Sequence, residues 1–332
     1  MVISHLSPAV RYTGRWAHKE GVSVTTAPGA MLEVAFYGSS CELMFAVKMN
    51  AEPFPHVYIQ VDDGAMVETR VDHYVRVEAQ EAGNHVIRVI YKSAMEDQQR
   101  WYEPLTGKIS FIGAEAEAEG VLPEDTRKII EFVGDSITEG VWVDEPKMPY
   151  GNRSNHRNMV FQNDATATYA YLTAEGLGMR PYIMGYGGEG ITKGGGGGVP
   201  KVFEAYPYCF AGQMREASGA EIIVINHGAN DMYKSAEEYV EGYEVFLDLV
   251  REINPNAKLV VMSAFYGVYV EELRGMVEAY NESRKTEVFF IDTSGWIPKS
   301  PMHPTREGHK TVAEKLVPIL KEKFFRTGET RV

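Results

Sequence analysis

The hydrophobic period of this chain changes once, near residue 113, and that change limits the fold more than any other feature. Before it, apolar and polar residues alternate, as in His56-Val57-Tyr58-Ile59-Gln60-Val61 and Tyr74-Val75-Arg76-Val77-Glu78. A period of two puts one face of a strand in a core and the other in water. Asp62-Asp63-Gly64 is a hairpin signal, and Gly83-Asn84 reads as a turn into the run from His85 to Tyr91. Gly29 to Val47 reads as two more strands broken at Gly38-Ser39-Ser40. No run here carries a helical period. Short strands with turn signals at this spacing predict a β-sandwich over residues 1–112.

Residues 113–126, Gly-Ala-Glu-Ala-Glu-Ala-Glu-Gly-Val-Leu-Pro-Glu-Asp-Thr, are small and acidic and read as a linker. From 127 to 332 short apolar strands alternate with helices. The strands are 129–133, 181–184, 221–226, 258–262 and 288–291. The helices are 164–177 behind Asp164, 235–253 from Ser235 to a stop at Asn254-Pro255, 268–285 and 305–325. This alternation predicts an α/β domain, a parallel sheet flanked by helices. Ligands of such sheets sit beyond the carboxyl ends of the strands.

The net charge of −13 argues against a nucleic-acid partner and against an anionic membrane surface, since both need a basic face. No stretch approaches the roughly 20 apolar residues of a membrane span. Met1 to Val10 has no basic start and no long apolar run, so the expectation is a cytoplasmic protein without a signal peptide. Cys41 and Cys209 lie in different halves and read as two free, buried thiols. No cluster has metal-ligand spacing, and no cofactor is implied.

The polar clusters fall just after strands. Gly134-Asp135-Ser136 follows 129–133, and a serine in a tight strand-to-helix turn sits near backbone N–H groups able to hold an oxyanion. An ordinary helix cap gives the same string. Tyr186-Gly187-Gly188-Glu189-Gly190 lets the backbone approach a ligand closely, whereas the five glycines from Gly194 to Gly198 read as a flexible loop. Asn226-His227-Gly228-Ala229-Asn230-Asp231 offers an amide donor or a simple Asx turn. His303-Pro304-Thr305 opens the last helix, and His309 lies inside it with a structural role.

In that order and placement the chain resembles the SGNH/GDSL hydrolases over roughly residues 128–326. The matching blocks are Gly134-Asp135-Ser136, Gly188, Gly228-Ala229-Asn230-Asp231 and His303. The resemblance implies Ser136 as nucleophile and His303 as general base. It also implies an oxyanion hole from the Ser136 and Gly188 N–H groups and the Asn230 amide. A jelly-roll-like domain before such a domain resembles carbohydrate esterase family 2. That implies an acetyl esterase acting on xylan- or mannan-type oligosaccharides. Two other functions remain open: a general short-chain or lipase-like carboxylesterase, and a non-catalytic carbohydrate-binding protein.

Two departures stand out. The family's aspartate, three residues before the histidine, is here Ser300 in Ser300-Pro301-Met302-His303. The expectation is therefore a Ser136–His303 dyad oriented by a main-chain carbonyl between Trp296 and Ser300, with Asp292 and Glu307 as rival orienters. The second is the long stretch from Val141 to Asn163, with Trp142, Tyr150, Asn152, Arg153, Asn155, His156, Arg157 and Asn158. It reads either as a substrate-shaping lid or as a contact in a homo-oligomer. Asp135, Trp142 and Trp296 are the candidate substrate contacts.

Overall fold

Residues 1–144 and 159–325 are described in the computed structural model. The N-terminal domain is built from β1 (Val2–Ser4), β2 (Val10–Thr13), β3 (Ala17–Lys19), β4 (Val22–Thr25), β5 (Met31–Phe45), β6 (His56–Val61), β7 (Val67–Arg70), β8 (Tyr74–Ser93) and β9 (Ile109–Glu119). All pair antiparallel in the order β3-β4-β9-β5-β8-β6-β7, with β1 on β9 and β2 on β5. The network folds on itself as a sandwich around Leu32, Val34, Phe36, Leu43, Phe45, Val57, Ile87, Val89 and Phe111.

Two sequence readings change here. The breakers at Gly38-Ser39-Ser40 and Gly83-Asn84 do not end strands. Gly38 pairs with Gly83, and the register shifts by a bulge between Gly38 and Ser40. Both strands therefore bend together and continue, because the left-handed φ of +136° at Gly38 kinks the ladder without reversing it. The linker reading of 113–126 is also corrected. Residues 113–119 are the second half of β9, paired with β1 and β5. Ala114 and Ala116 are buried while Glu115 and Glu117 face solvent, so the stretch is a period-two strand whose inward residues are merely small. By contrast, Asp62-Asp63-Gly64 does turn β6 into β7, with the Gly64 N–H donating to the Val61 carbonyl at 2.9 Å.

The second domain holds the parallel strands β10 (Ile129–Gly134), β11 (Arg180–Gly185), β14 (Ile222–Asn226), β15 (Lys258–Met262) and β16 (Val288–Ile291), with a small hairpin of β12 (Tyr208–Phe210) and β13 (Gln213–Met214). The parallel order is β11-β10-β14-β15-β16, a doubly wound arrangement whose order reverses beside β10. Its helices are α1 (Ser136–Glu139), α2 (Met159–Gln162), α3 (Tyr169–Gly176), α4 (Val202–Ala205), α5 (Ala236–Ile253), α6 (Val270–Arg284) and α7 (Arg306–Phe324). Alternate strand residues face two cores. Phe132, Val224 and Val260 pack against α3 and α7. Val133, Ile225 and Val261 pack against α5 and α6. Ser235 caps α5 as expected, its Oγ accepting from the Glu238 N–H. Asp164 instead caps a short turn at 165–167, and Thr168 starts α3.

The domains share apolar cores. Met31 and Ile90 join the α3/α7 side, and Trp101 and Leu105 join the α5/α6 side. Polar ties reinforce them. The fully buried Lys92 donates from Nζ to the carbonyls of Val160 and Phe161 at 3.0 and 3.1 Å. Tyr58 Oη donates to Asp164 Oδ2 at 2.8 Å. Arg15 Nη2 donates to the carbonyls of Ala205 and Tyr206, each at 3.0 Å. Cys41 and Cys209 are both free and buried. Among the described residues no helix is long and apolar enough to cross a membrane.

Candidate active site

β10 ends at Gly134, and Asp135 leaves the strand in extended geometry to cap α1, Oδ1 accepting from the Ile137 N–H at 2.9 Å. Ser136 is thus the first residue of a single helical turn, where backbone N–H groups have no intrahelical acceptor. His303 approaches from the other end of the chain, two residues before Thr305, the cap of α7. Its Nε2 lies 2.9 Å from Ser136 Oγ. With the ring proton on Nδ1, the serine hydroxyl donates to Nε2, the arrangement a general base requires.

What holds the imidazole differs from expectation. His303 Nδ1 is buried and has no hydrogen-bond partner among the described residues. No carbonyl of residues 296–300 hydrogen-bonds to it. Asp292 is engaged with Ser263, Ser294 and Arg274, and Glu307 is exposed. The ring is held by packing instead: Trp142 meets it edge to face, centroids 5.2 Å apart at 86°. Three residues on, Arg306 is clamped to Asp144 at 2.5 and 2.6 Å and to Asp164 at 2.7 Å, which ties the histidine turn to the chain after the serine. Burial, with no carboxylate of the described residues beside the ring, pushes the His303 pKa down to about 4. His309 is structural: its Nδ1 accepts from the Tyr169 N–H at 3.1 Å.

The glycine and asparagine blocks meet behind the serine. Gly188 adopts a φ of +73° in the turn after β11. Asn230 Nδ2 donates to the Glu189 carbonyl at 2.9 Å and to Asp135 Oδ2 at 3.3 Å. Both amide protons are therefore engaged, and donating to an oxyanion means giving up the longer bond. Asp231 receives the Thr192 N–H at 2.7 Å and the Ile191 N–H at 3.2 Å, stapling the glycine loop to the Asn230 turn. Desolvation raises the pKa of the buried Asp135 to about 7 and that of the fully buried Glu189 well above the usual range.

A pocket of about 350 Å³ opens over Ser136, Asn230 and His303, walled by Ile137, Met232, Tyr266, Val268 and Met302, with Lys299 at its edge. Gly188 does not line it, and neither does any of the candidate substrate contacts. Asp135 is buried beneath as cap and Asn230 partner. Trp142 serves the histidine ring. Trp296 packs on the α3/α7 core with the Lys315 ammonium 5.5 Å above its ring. Tyr150, Asn152, Arg153, Asn155, His156, Arg157 and Asn158 lie outside the described residues. The Met232, Tyr266 and Met302 walls carry no local sequence signal, since they converge from three separate loops.

Residues 132–311 match the GDSL-like lipase/acylhydrolase family. The chain belongs to this family. CelE of Acetivibrio thermocellus, a cellulase/esterase, is 23% identical over 352 residues, spanning 96% of this chain and 40% of that one. This chain therefore corresponds to two fifths of CelE. An acetylxylan esterase/glucomannan deacetylase of Cellvibrio japonicus is 22% identical over 96% of this chain and 90% of its own length. A solved family two carbohydrate esterase from Cellvibrio japonicus superposes with a TM-score of 0.78 at 20% identity, covering 97% of each chain. The GDSL fold and the sandwich before it are thus common to both structures.

Proposed function

We propose that this chain is a serine O-acetyl esterase that releases acetate from xylan- or mannan-type oligosaccharides. The observation that carries this reading is the 2.9 Å approach of His303 Nε2 to Ser136 Oγ at the floor of a small pocket. The names of the two curated relatives, cellulase/esterase and acetylxylan esterase/glucomannan deacetylase, support the substrate class. Ser136 Oγ attacks the ester carbonyl as His303 takes its proton. The oxyanion forms against the Ser136 and Gly188 N–H groups and the Asn230 amide. His303 returns the proton to the leaving sugar hydroxyl, and water then repeats the cycle on the acetyl-serine.

The apolar walls also fit a general short-chain carboxylesterase. Acetate release from acetylated xylo- and manno-oligosaccharides, read by NMR beside hydrolysis of 4-nitrophenyl acetate and octanoate, separates the two. The proposal expects release from the sugars, a strong preference for acetate, and loss of both activity and fluorophosphonate labelling in Ser136→Ala. Sugar binding without labelling or acetate release would instead mark a non-catalytic carbohydrate-binding protein.

A further inference from the structure

The five glycines at 194–198 are not a flexible loop. A Cβ on Gly195 would lie 2.7 Å from the Gly187 carbonyl oxygen. One on Gly196 would lie 2.5 Å from the Glu96 carbonyl, and one on Gly197 2.1 Å from the Gln98 carbonyl. Distances under 3.0 Å exclude any side chain, so the run is glycine because two backbones pack against it. One is the loop carrying Gly188. The other is the 96–100 segment of the N-terminal domain.

We propose that Arg100, from the N-terminal domain, is a positioning residue for ester hydrolysis, and that with the five-glycine run it aims the Gly188 N–H into the oxyanion site. This rests on the reading of Ser136 and Gly188 given above.

Two arms run from Arg100 to one residue, Gly187, the first from the guanidinium and the second from the main-chain N–H. In the first, the fully buried guanidinium grips Glu139 with both outer nitrogens, Nη1 on Oε1 and Nη2 on Oε2, the latter at 3.3 Å. Oε2 also accepts the Gly187 N–H at 2.6 Å. Glu139 ends the helical turn that Ser136 begins, so this arm sets the glycine turn relative to the nucleophile. In the second, the Arg100 N–H donates to the Gly197 carbonyl at 2.9 Å, and the Gly196 N–H donates to the Gly187 carbonyl at 2.7 Å. The Gly187 carbonyl and the Gly188 N–H belong to the same planar trans peptide and point in opposite directions. Fixing the carbonyl fixes the donor. The Arg100 guanidinium also sits 5.2 Å from the centre of the Tyr186 ring, at the start of the same turn.

The test compares wild type with Arg100→Met, Arg100→Lys and the double variant Arg100→Met/Glu139→Met in the full chain. Each is assayed for kcat and KM on an acetyl ester, affinity for a boronic acid that forms a tetrahedral serine adduct, and Tm. A misaimed donor lowers kcat by roughly tenfold to a hundredfold, short of the 10²–10³ for losing one outright. KM stays within about twofold, and boronate affinity falls in step with kcat. Arg100→Lys does not rescue, because an ammonium lacks the two-pronged fork. The double variant removes the buried pair as a unit and leaves only the Gly187 N–H without its acceptor, so its Tm rises above that of Arg100→Met, which strands a buried carboxylate. Expected is a double variant that melts above Arg100→Met yet keeps the kcat defect. Recovery of kcat together with Tm would make the pair a stability element only and overturn the proposal. So would wild-type kcat and boronate affinity in both single variants while Ser136→Ala is inactive. Acetate release surviving in Ser136→Ala would instead sink the reading of the site itself.

Discussion

A general base held in an apolar wall without a carboxylate should work at lower pH than a histidine in a triad. His303 has no partner on Nδ1 among the described residues, and its pKa is pushed from 6.5 to about 4. That difference corresponds to about 3 kcal/mol against the imidazolium. At pH 5.5 an imidazole at 6.5 is only about 9% neutral, whereas one at 4 is about 97% neutral. The acid limb of kcat/KM reports the base in the free enzyme. It should fall below pH 5, with less than a twofold change from His303 between pH 5.5 and 8. Acetate release in a pH-stat measures this, with circular dichroism at each pH to confirm that the chain is folded. Asp135, raised to about 7 and bonded to Asn230, also titrates in this window. Asp135→Asn removes that titration while keeping a cap. Buried Glu96, raised to about 7, and Glu189, raised well above the usual range, are removed in the same way as Glu96→Gln and Glu189→Gln. A limb between pH 6 and 7 that persists in all three folded variants would refute the argument, since an ordinary or carboxylate-supported His303 would then be its source.

Three substitutions test the rest of the site. Asn230→Ala should lower kcat by about 10²-fold or more with little change in KM, measured by steady-state acetate release. Trp142→Ala removes the edge contact that holds the His303 ring, and kcat should fall roughly tenfold, since small misplacements of a base are costly. An unchanged kcat there would mean that the ring is held by something else. Trp296→Ala should leave kcat and KM on acetylated oligosaccharides within about twofold, because that ring packs on the core and not on the pocket. A large rise in KM would restore it as a sugar platform.

The two-domain α/β plan was legible because it rests on hydrophobic period, which a strand or helix expresses along its own length. Ser136 and His303 were legible because their blocks sit at strand ends and helix caps, places with local signals. The bend shared by Gly38 and Gly83 was not, since a glycine looks the same in a bulge and in a turn. Ala114 and Ala116 were missed for a related reason: a buried face made of alanine resembles a linker. The partner of Glu139 was beyond sequence reasoning altogether. Glu139 lies three residues after Ser136, but nothing local marks Arg100, 39 residues earlier in the other domain, as its counter-ion. The pocket walls and the Trp142 contact to His303 are hidden in the same way.

The shared cores bear on how such a module can be inherited. Residues 120–128 separate two folds, but they do not separate two independent units. A gene fragment cut there would leave the catalytic half with a buried anion at Glu139 and bare apolar walls where Met31, Ile90, Trp101 and Leu105 had been. In this sequence the two halves are therefore built to be moved as a pair.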